Sequence, residues 1–228
     1  MKENENALFA RAESLLIGRL SRNLLRPRIG LAEELLEGSY RHQLERFFCD
    51  KQGHVEEGIG EAFELLDRFL DEIKGLTAEE LRLMLEVDYN RLFVGPGHLL
   101  APPYESYYES VRADAGLGRL RTQAEREVTA IYAEHGYTMP DVFVDLPDHA
   151  AIELEFISLL MEKEAQLWEN GSNDEAAALQ ADIAGFVNGH FAAWFPQCAA
   201  RIRAEAKTGF YPMVALLACR LLLADTEG

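Results

Sequence analysis

His149 and Glu153 stand four residues apart, the spacing that sets an imidazole and a carboxylate on one helix face, where they could hold a metal ion. Two ligands alone make a weak site, and a surface hydrogen bond is the plainer reading of the pair. No HExxH occurs, and none of the six histidines has Glu three residues before it, so the ExxH pairs of di-iron bundles are missing. Lys207-Thr208 lacks the preceding glycines that would turn backbone amides toward a phosphate. Gly58-Ile59-Gly60 and Gly95-Pro96-Gly97 each lack the third glycine of a dinucleotide turn, and neither follows a strand. Neither a Ser-His-Asp nor a Cys-His arrangement has a local signature. Nothing in the chain asks for an enzyme.

Binding chemistry is better represented, in three segments. Tyr89-Asn90-Arg91-Leu92-Phe93-Val94-Gly95-Pro96 leads into Pro102-Pro103-Tyr104-Glu105-Ser106-Tyr107-Tyr108. Its bland reading is a helix end, a proline loop and aromatics packed on the core. Its functional reading is a receptor for an apolar peptide, because proline holds the backbone extended and the tyrosines offer flat amphipathic faces. Leu146-Pro147-Asp148-His149 runs into Ile152-Glu153-Leu154-Glu155-Phe156 and reads as an aspartate N-cap with a histidine in the first turn. His190-Phe191-Ala192-Ala193-Trp194-Phe195-Pro196, followed by Gly209-Phe210-Tyr211-Pro212, reads as a helix–Pro–helix corner filled by aromatics.

The elements that position these segments are helical throughout. Leu8, Leu15, Leu16 and Leu20 recur at helical spacing before Pro27. One stretch then runs from Leu31 to Phe48, and another from Val55 to Ile73 with a stop near Gly75. Thr77-Ala78-Glu79-Glu80 and Thr122-Gln123-Ala124-Glu125 have the form of capping boxes, the second helix stopping at Gly136. Asp148 is placed to cap a long stretch to Trp168, Ser172 the next, and Pro212 fits the first turn of a last helix ending near Leu223. No segment alternates as a strand does, and the irregular stretches are residues 94–103 and 137–147. The expectation is a single all-α domain over residues 1–228, a helical bundle with no sheet.

Composition narrows the partners. Among 228 residues, 22 Lys+Arg face 39 Asp+Glu for a net charge of −17, the wrong sign for a protein that grips nucleic-acid phosphates. The first six residues lack the apolar core of a signal peptide, and the longest apolar run, residues 213–224, is too short to span a bilayer and contains Arg220. Cys49, Cys198 and Cys219 are odd in number and far apart, which reads as reduced thiols of a cytoplasmic protein.

Taken in order and spacing, the three segments resemble the TorD/DmsD family of redox-enzyme maturation chaperones. The resemblance rests on Tyr89, Arg91, Leu92 and Phe93; on Pro102, Pro103, Tyr104, Glu105 and Ser106; and on Asp148-His149 with Glu153, Leu154 and Phe156. His190, Trp194 and Pro196, then Phe210-Tyr211, complete it, so that it spans residues 7–224. One departure concerns the path of the second loop: Leu146 stands where the family usually has Pro, and Pro147 directly precedes Asp148.

The resemblance implies a non-enzymatic cytoplasmic chaperone of anaerobic respiration. Its partners would be the twin-arginine leader and the apo catalytic subunit of a molybdoenzyme of the dimethyl-sulfoxide-reductase type. It would hold that subunit until its cofactor is inserted and so prevent premature export. It implies no cofactor or metal in the chaperone itself, no nucleic acid and no membrane insertion, with monomers and exchanged homodimers both known in the family. Pro102, Pro103, Tyr104, Glu105, Ser106, Pro147, Asp148 and His149 would form the peptide-binding set. Tyr89, Arg91, Leu92, Phe93, His190, Trp194, Phe210 and Tyr211 would be structural. Pro103, Tyr104, Asp148 and His149 are expected on one concave surface, with the His149 pKa lowered by the helix dipole. Arg91, Glu105 and Tyr89 are expected to be architectural. Two readings of other classes stay open: a guanine-nucleotide-binding or hydrolysing helical protein, and a structural helical adaptor without leader specificity.

Overall fold

The computed structural model describes residues 2–49, 54, 58–95, 99–113, 118–139 and 145–223. In chain order its helices are α1 (Lys2–Asn23), α2 (Ile29–Leu36), α3 (Ser39–Phe48), α4 (Gly60–Glu72), α5 (Ala78–Tyr89), α6 (Glu105–Ala113), α7 (Gln123–Glu134), α8 (Ala150–Glu169), α9 (Asn173–Phe186), α10 (Ala192–Glu205) and α11 (Phe210–Leu223). Two π-helical turns, Asn90–Val94 and Val187–Phe191, continue α5 and precede α10. No described residue lies in a sheet, so the chain is all-α. Val55, Pro96 and Gly97 and the centre of the stretch 137–147 lie outside the described residues.

Local chemistry accounts for most helix boundaries. Thr77 and Glu80 form the expected capping box: the Glu80 N–H donates to Thr77 Oγ1 at 3.3 Å and the Thr77 N–H to Glu80 Oε2 at 2.8 Å. Gly136 stops α7 at φ +69, a left-handed conformation that costs glycine little. Four expectations need correction. The single stretch from Leu31 to Phe48 is two helices, because Gly38 turns the chain at φ +77. Thr122 precedes α7 but gives it no side-chain cap, its hydroxyl donating to Glu109 instead, and Ser172 caps nothing with its side chain. Pro196 makes no corner: it is the fifth residue of α10, where its missing N–H removes one bond near the helix start.

Contacts divide the chain into two compact units, Met1–Arg22 with Pro103–Gln197, and Asn23–Pro102 with Cys198–Gly228. In the first, α8 is buried nearly all round, and Tyr132 and Phe186 pack on Phe156 with ring centroids 4.6 and 4.9 Å away. Small residues let α1 lie close against α8. Ser14 Oγ donates to the Ser158 carbonyl at 2.8 Å, and Ser158 Oγ to the Ser14 carbonyl at 2.9 Å. In the second unit Phe210 anchors α11 between Tyr40 and Phe69, at 5.9 and 6.1 Å. Gly209 permits the close approach there, since a Cβ would stand 3.0 Å from the Leu65 carbonyl oxygen.

Asp88, 1% exposed on α5, fixes the turn into α11. It accepts from the Lys207 N–H at 2.9 Å, the Thr208 N–H at 2.8 Å and Thr208 Oγ1 at 2.9 Å. Bonds to a charged group contribute about 1.5–3 kcal/mol, and orphaned buried amides cost about 1–3 kcal/mol each. Asp88→Ala is therefore expected to lower unfolding stability by about 3 kcal/mol, read as a shift of the urea midpoint with the slope unchanged.

Candidate functional site

Residues 103–106 and 145–149 belong to one unit, and the structure joins them directly. An isolated antiparallel bridge pairs Tyr104 with His149. The Glu105 N–H donates to the Asp148 carbonyl at 3.0 Å, and the Ala150 N–H to the Pro103 carbonyl at 2.8 Å. Proline suits this register, because Pro103 contributes the carbonyl the bridge needs and lacks the N–H it does not. The Asp148 side chain completes the join by accepting from the Ser106 N–H at 2.8 Å. It thus caps α6 rather than its own α8, which corrects the N-cap assignment made from sequence. The cap of α8 is His149, whose Nδ1 accepts from the Ala151 N–H at 3.0 Å. That bond needs an unprotonated Nδ1, so the neutral ring carries its proton on Nε2.

Burial sorts the expected peptide-binding set. Glu105, Ser106, Asp148 and His149 are between 0% and 4% exposed, and Pro102 and Pro103 are buried. Tyr104 and Pro147 reach solvent, half-buried beside the exposed Asp145. The Tyr104 ring meets the His149 ring edge-on at 5.3 Å, and its hydroxyl donates to Asp145 Oδ1 at 2.9 Å. Tyr132 Oη donates to the Pro147 carbonyl at 3.0 Å, which pins the loop at the place where Leu146-Pro147 departs from the family pattern. Contacts within the chain thus fix the Tyr104 side chain and the Pro147 carbonyl.

Behind Tyr104 lies a polar interior that reading the sequence did not assemble. His190 Nδ1 sits 3.0 Å from a carboxylate oxygen of Glu105, both largely buried. Trp194 Nε1–H donates to Glu153 Oε2 at 3.1 Å, and its indole stacks on Tyr108 at 5.4 Å. His149 and Glu153 are thus not a surface pair: both are buried, His149 on the Ala151 amide and Glu153 on the indole. A carboxylate inside the apolar run Ala150-Ala151-Ile152-Glu153-Leu154 was the available clue, since such a residue in a buried helix turn needs a polar partner. Burial raises the Asp148 pKa, opposed by bonding from Ser106. Burial lowers the His149 pKa to about 4, opposed by the Asp145 charge. The direction is the one expected, but desolvation rather than the helix dipole is its main cause. Among the described residues, no three His, Cys, Asp or Glu side chains are placed to share a metal ion.

A family model described as nitrate reductase delta subunit matches residues 52–200. The chain is 30% identical over 158 residues to Chaperone protein TorD of Photobacterium profundum, covering 68% of this chain and 69% of that one. It is 28% identical over 166 residues to Chaperone protein TorD of Psychrobacter sp. (strain PRwf-1), with 71% and 69% covered. With the protein of that name from Vibrio parahaemolyticus serotype O3:K6 the figures are 26% over 191 residues, with 82% and 81% covered.

The chain belongs to the TorD/DmsD family.

The relatives of this TorD/DmsD-family protein are named chaperones, a non-enzymatic role. Its remaining motif residues pack within the second unit. Tyr89, Phe93 and Tyr211 form an aromatic cluster with centroids 5.3 to 6.4 Å apart, and Tyr211 Oη donates to the Leu85 carbonyl at 3.0 Å. Leu92 is fully buried, and the Ala101 N–H donates to its carbonyl at 3.0 Å. Arg91 reaches two carboxylates at ion-pair distance, Asp88 at 3.7 Å and Glu205 at 3.9 Å. Among the described residues no helix is long and apolar enough to cross a membrane.

The buried imidazole has a pH consequence. A base whose folded pKa lies below its unfolded value gives stability that is complete above the unfolded value, 6.5, and is lost as pH falls toward the folded one. Between pH 6.5 and 4 this residue is expected to withdraw about 3 kcal/mol, by the shift to about 4. His149→Asn keeps a capping side chain and is expected to lack that share of acid sensitivity in urea melts across the window. Nuclear magnetic resonance of the wild type checks the premise: the His149 ring is expected not to titrate above about pH 5.

Proposed function

We propose that this protein is a cytoplasmic maturation chaperone for a molybdoenzyme of the dimethyl-sulfoxide-reductase type. It binds the twin-arginine leader and the apo catalytic subunit, holds them until the cofactor is inserted and prevents premature export. The leader's apolar stretch lies on the face presented by Tyr104 and Pro147. The buried residues of the set, Glu105, Ser106, Asp148 and His149, act by holding that face rather than by touching the peptide. A single chaperone domain over residues 1–228, working as a monomer or an exchanged homodimer, belongs to the same reading.

One observation carries the proposal: a half-buried tyrosine that follows two prolines is fixed by backbone and side-chain bonds within a chain of the TorD/DmsD family. A receptor already ordered loses little conformational freedom on binding. Magnitudes decide which part of a leader dominates. An exposed ion pair contributes about 0.2–1 kcal/mol, whereas burying a Leu-sized side chain contributes about 1.5–3 kcal/mol. Several apolar anchors reach the roughly −8 kcal/mol of a micromolar complex, which two exposed arginines do not. The net charge of −17 then acts mainly on encounter and orientation.

Calorimetric titration with synthetic leaders from the organism's own molybdoenzymes tests this. Tyr104→Ala is expected to weaken binding about tenfold, since an interface aromatic carries roughly 1–2 kcal/mol, while leaving the melting temperature within a few degrees. Replacing two leader leucines with serine is expected to cost more than replacing both arginines with lysine. Added salt is expected to slow association more than it lowers affinity. Failure to bind any such leader, or equal loss from both peptide changes, would overturn the reading.

A further inference from the structure

We infer that Glu153 is a proton-operated latch beneath the Tyr104 face: protonated, it lets the join between residues 103–106 and the start of α8 stay closed, and ionised, it loosens that join. Six elements of one unit meet around this carboxyl. The first turn of α8 brings Glu153, and the segment before it brings Asp148 and His149. The first turn of α6 brings Glu105, α7 brings Tyr132, the π-helical turn brings His190, and α10 brings Trp194.

Charge bookkeeping in that interior is unfavourable unless one acid stays neutral. Glu105, Asp148 and Glu153 are 4%, 0% and 0% exposed, and the one imidazole directly on a carboxylate is that of His190. Glu105 has His190 at 3.0 Å, and Asp148 has the Ser106 N–H, a backbone amide in the first turn of α6, at 2.8 Å, while its Oδ1 is buried with no hydrogen-bond partner. Glu153 has one neutral donor, the Trp194 indole at 3.1 Å, and its other oxygen, Oε1, is buried with no hydrogen-bond partner. An uncompensated buried carboxylate is the costliest state available there; Asp148 takes a backbone amide at the start of α6, where a helix N-terminus favours negative charge, whereas Glu153 takes only a neutral indole, so a proton resides on Glu153. Burial first, and then the Glu105 carboxylate, hold its pKa well above the ordinary range, in agreement with the geometry. The α8 N-terminus opposes this, because its dipole favours a negative charge in the first turn, and so it keeps the proton exchangeable.

When Glu153 ionises, its charge repels Glu105 and Asp148. These are the carboxylates that hold His190 and the Ser106 amide, and so tie residues 103–106 to the π-helical turn and to the approach of α8. An acid whose folded pKa lies above its unfolded value supports the fold below the unfolded value and withdraws that support as pH rises. The consequence for a bound peptide rests on the proposed function: leader affinity falls with rising pH, and leader binding takes up protons by reciprocity.

The test first needs no peptide. The chain has two tryptophans, so Trp168→Phe leaves Trp194 as the only indole. Its emission is expected to step once between pH 5 and 9, and to be level across that range in Trp168→Phe/Glu153→Gln. Level emission in the single variant, or the same step in the double variant, overturns the latch. Should the double variant lack a helical circular dichroism spectrum, the wild-type chain with carbon-13-labelled glutamate decides. One carboxyl carbon titrating well above all others supports the latch, and all of them titrating together overturns it. A second arm measures leader affinity over the same range: a fall of about tenfold through the step, abolished by Glu153→Gln, is expected. Unchanged affinity overturns the coupling to the peptide face. A clear emission step with no leader bound at any pH defeats the peptide reading and leaves the latch standing.

Discussion

Two segments 42 residues apart depend on one buried carboxylate, Asp148, whose bond to the Ser106 amide holds the start of one helix to the approach of another. Around that bond run the bridge between Tyr104 and His149 and the two backbone bonds on either side of it. The constraint is severe because the groups are dry: removing the acceptor leaves a buried amide unpaired, which costs more than the bond contributes when made. Tyr104 inherits its position from this arrangement. Its ring rests against His149, its hydroxyl on Asp145, and its neighbours in sequence are locked by Asp148. Rigidity at the tyrosine is therefore a property of acids and amides beneath it, not of the prolines alone.

The same constraint explains why a chaperone of this kind tolerates acids in its core. Glu105, Asp148 and Glu153 would be poor choices for stability by themselves, since a well-packed apolar residue does as well or better than a buried ion pair. What they supply is specificity of arrangement. Each reaches a partner on a different element: the His190 imidazole on the π-helical turn, the Ser106 amide on α6 and the Trp194 indole on α10. Helices joined only by leucines can slide or rotate with small loss, whereas these contacts fix one register.

What the sequence made legible follows from how far each contact reaches along the chain. Helical spacing, the Thr77 capping box, the Gly136 stop and the all-α class depend on residues within a few positions of one another, and they read correctly. Thr122 has the same local form as Thr77 yet directs its hydroxyl to Glu109, a choice made by tertiary packing. Asp148 looks like the cap of the helix it precedes, but the amide its carboxylate meets in space belongs to Ser106. His149 takes over the capping task it vacates, through a ring nitrogen that ordinary cap statistics rank low. The motif order pointed to segments that the structure joins, while no spacing rule could pair Glu105 with His190 across 85 residues or Glu153 with Trp194 across 41.

Amide hydrogen exchange at Glu105, Ser106, Ala150 and Ala151 tests most directly whether the two segments form one cooperative unit. These four amides donate to the Asp148 carbonyl, the Asp148 carboxylate, the Pro103 carbonyl and the His149 ring. They are expected to be strongly protected and to open with a common free energy, and Asp148→Ala is expected to speed all four together. Exchange at Ser106 near the rate of an unprotected amide, or loss of protection at Ser106 alone in the variant, would contradict the account.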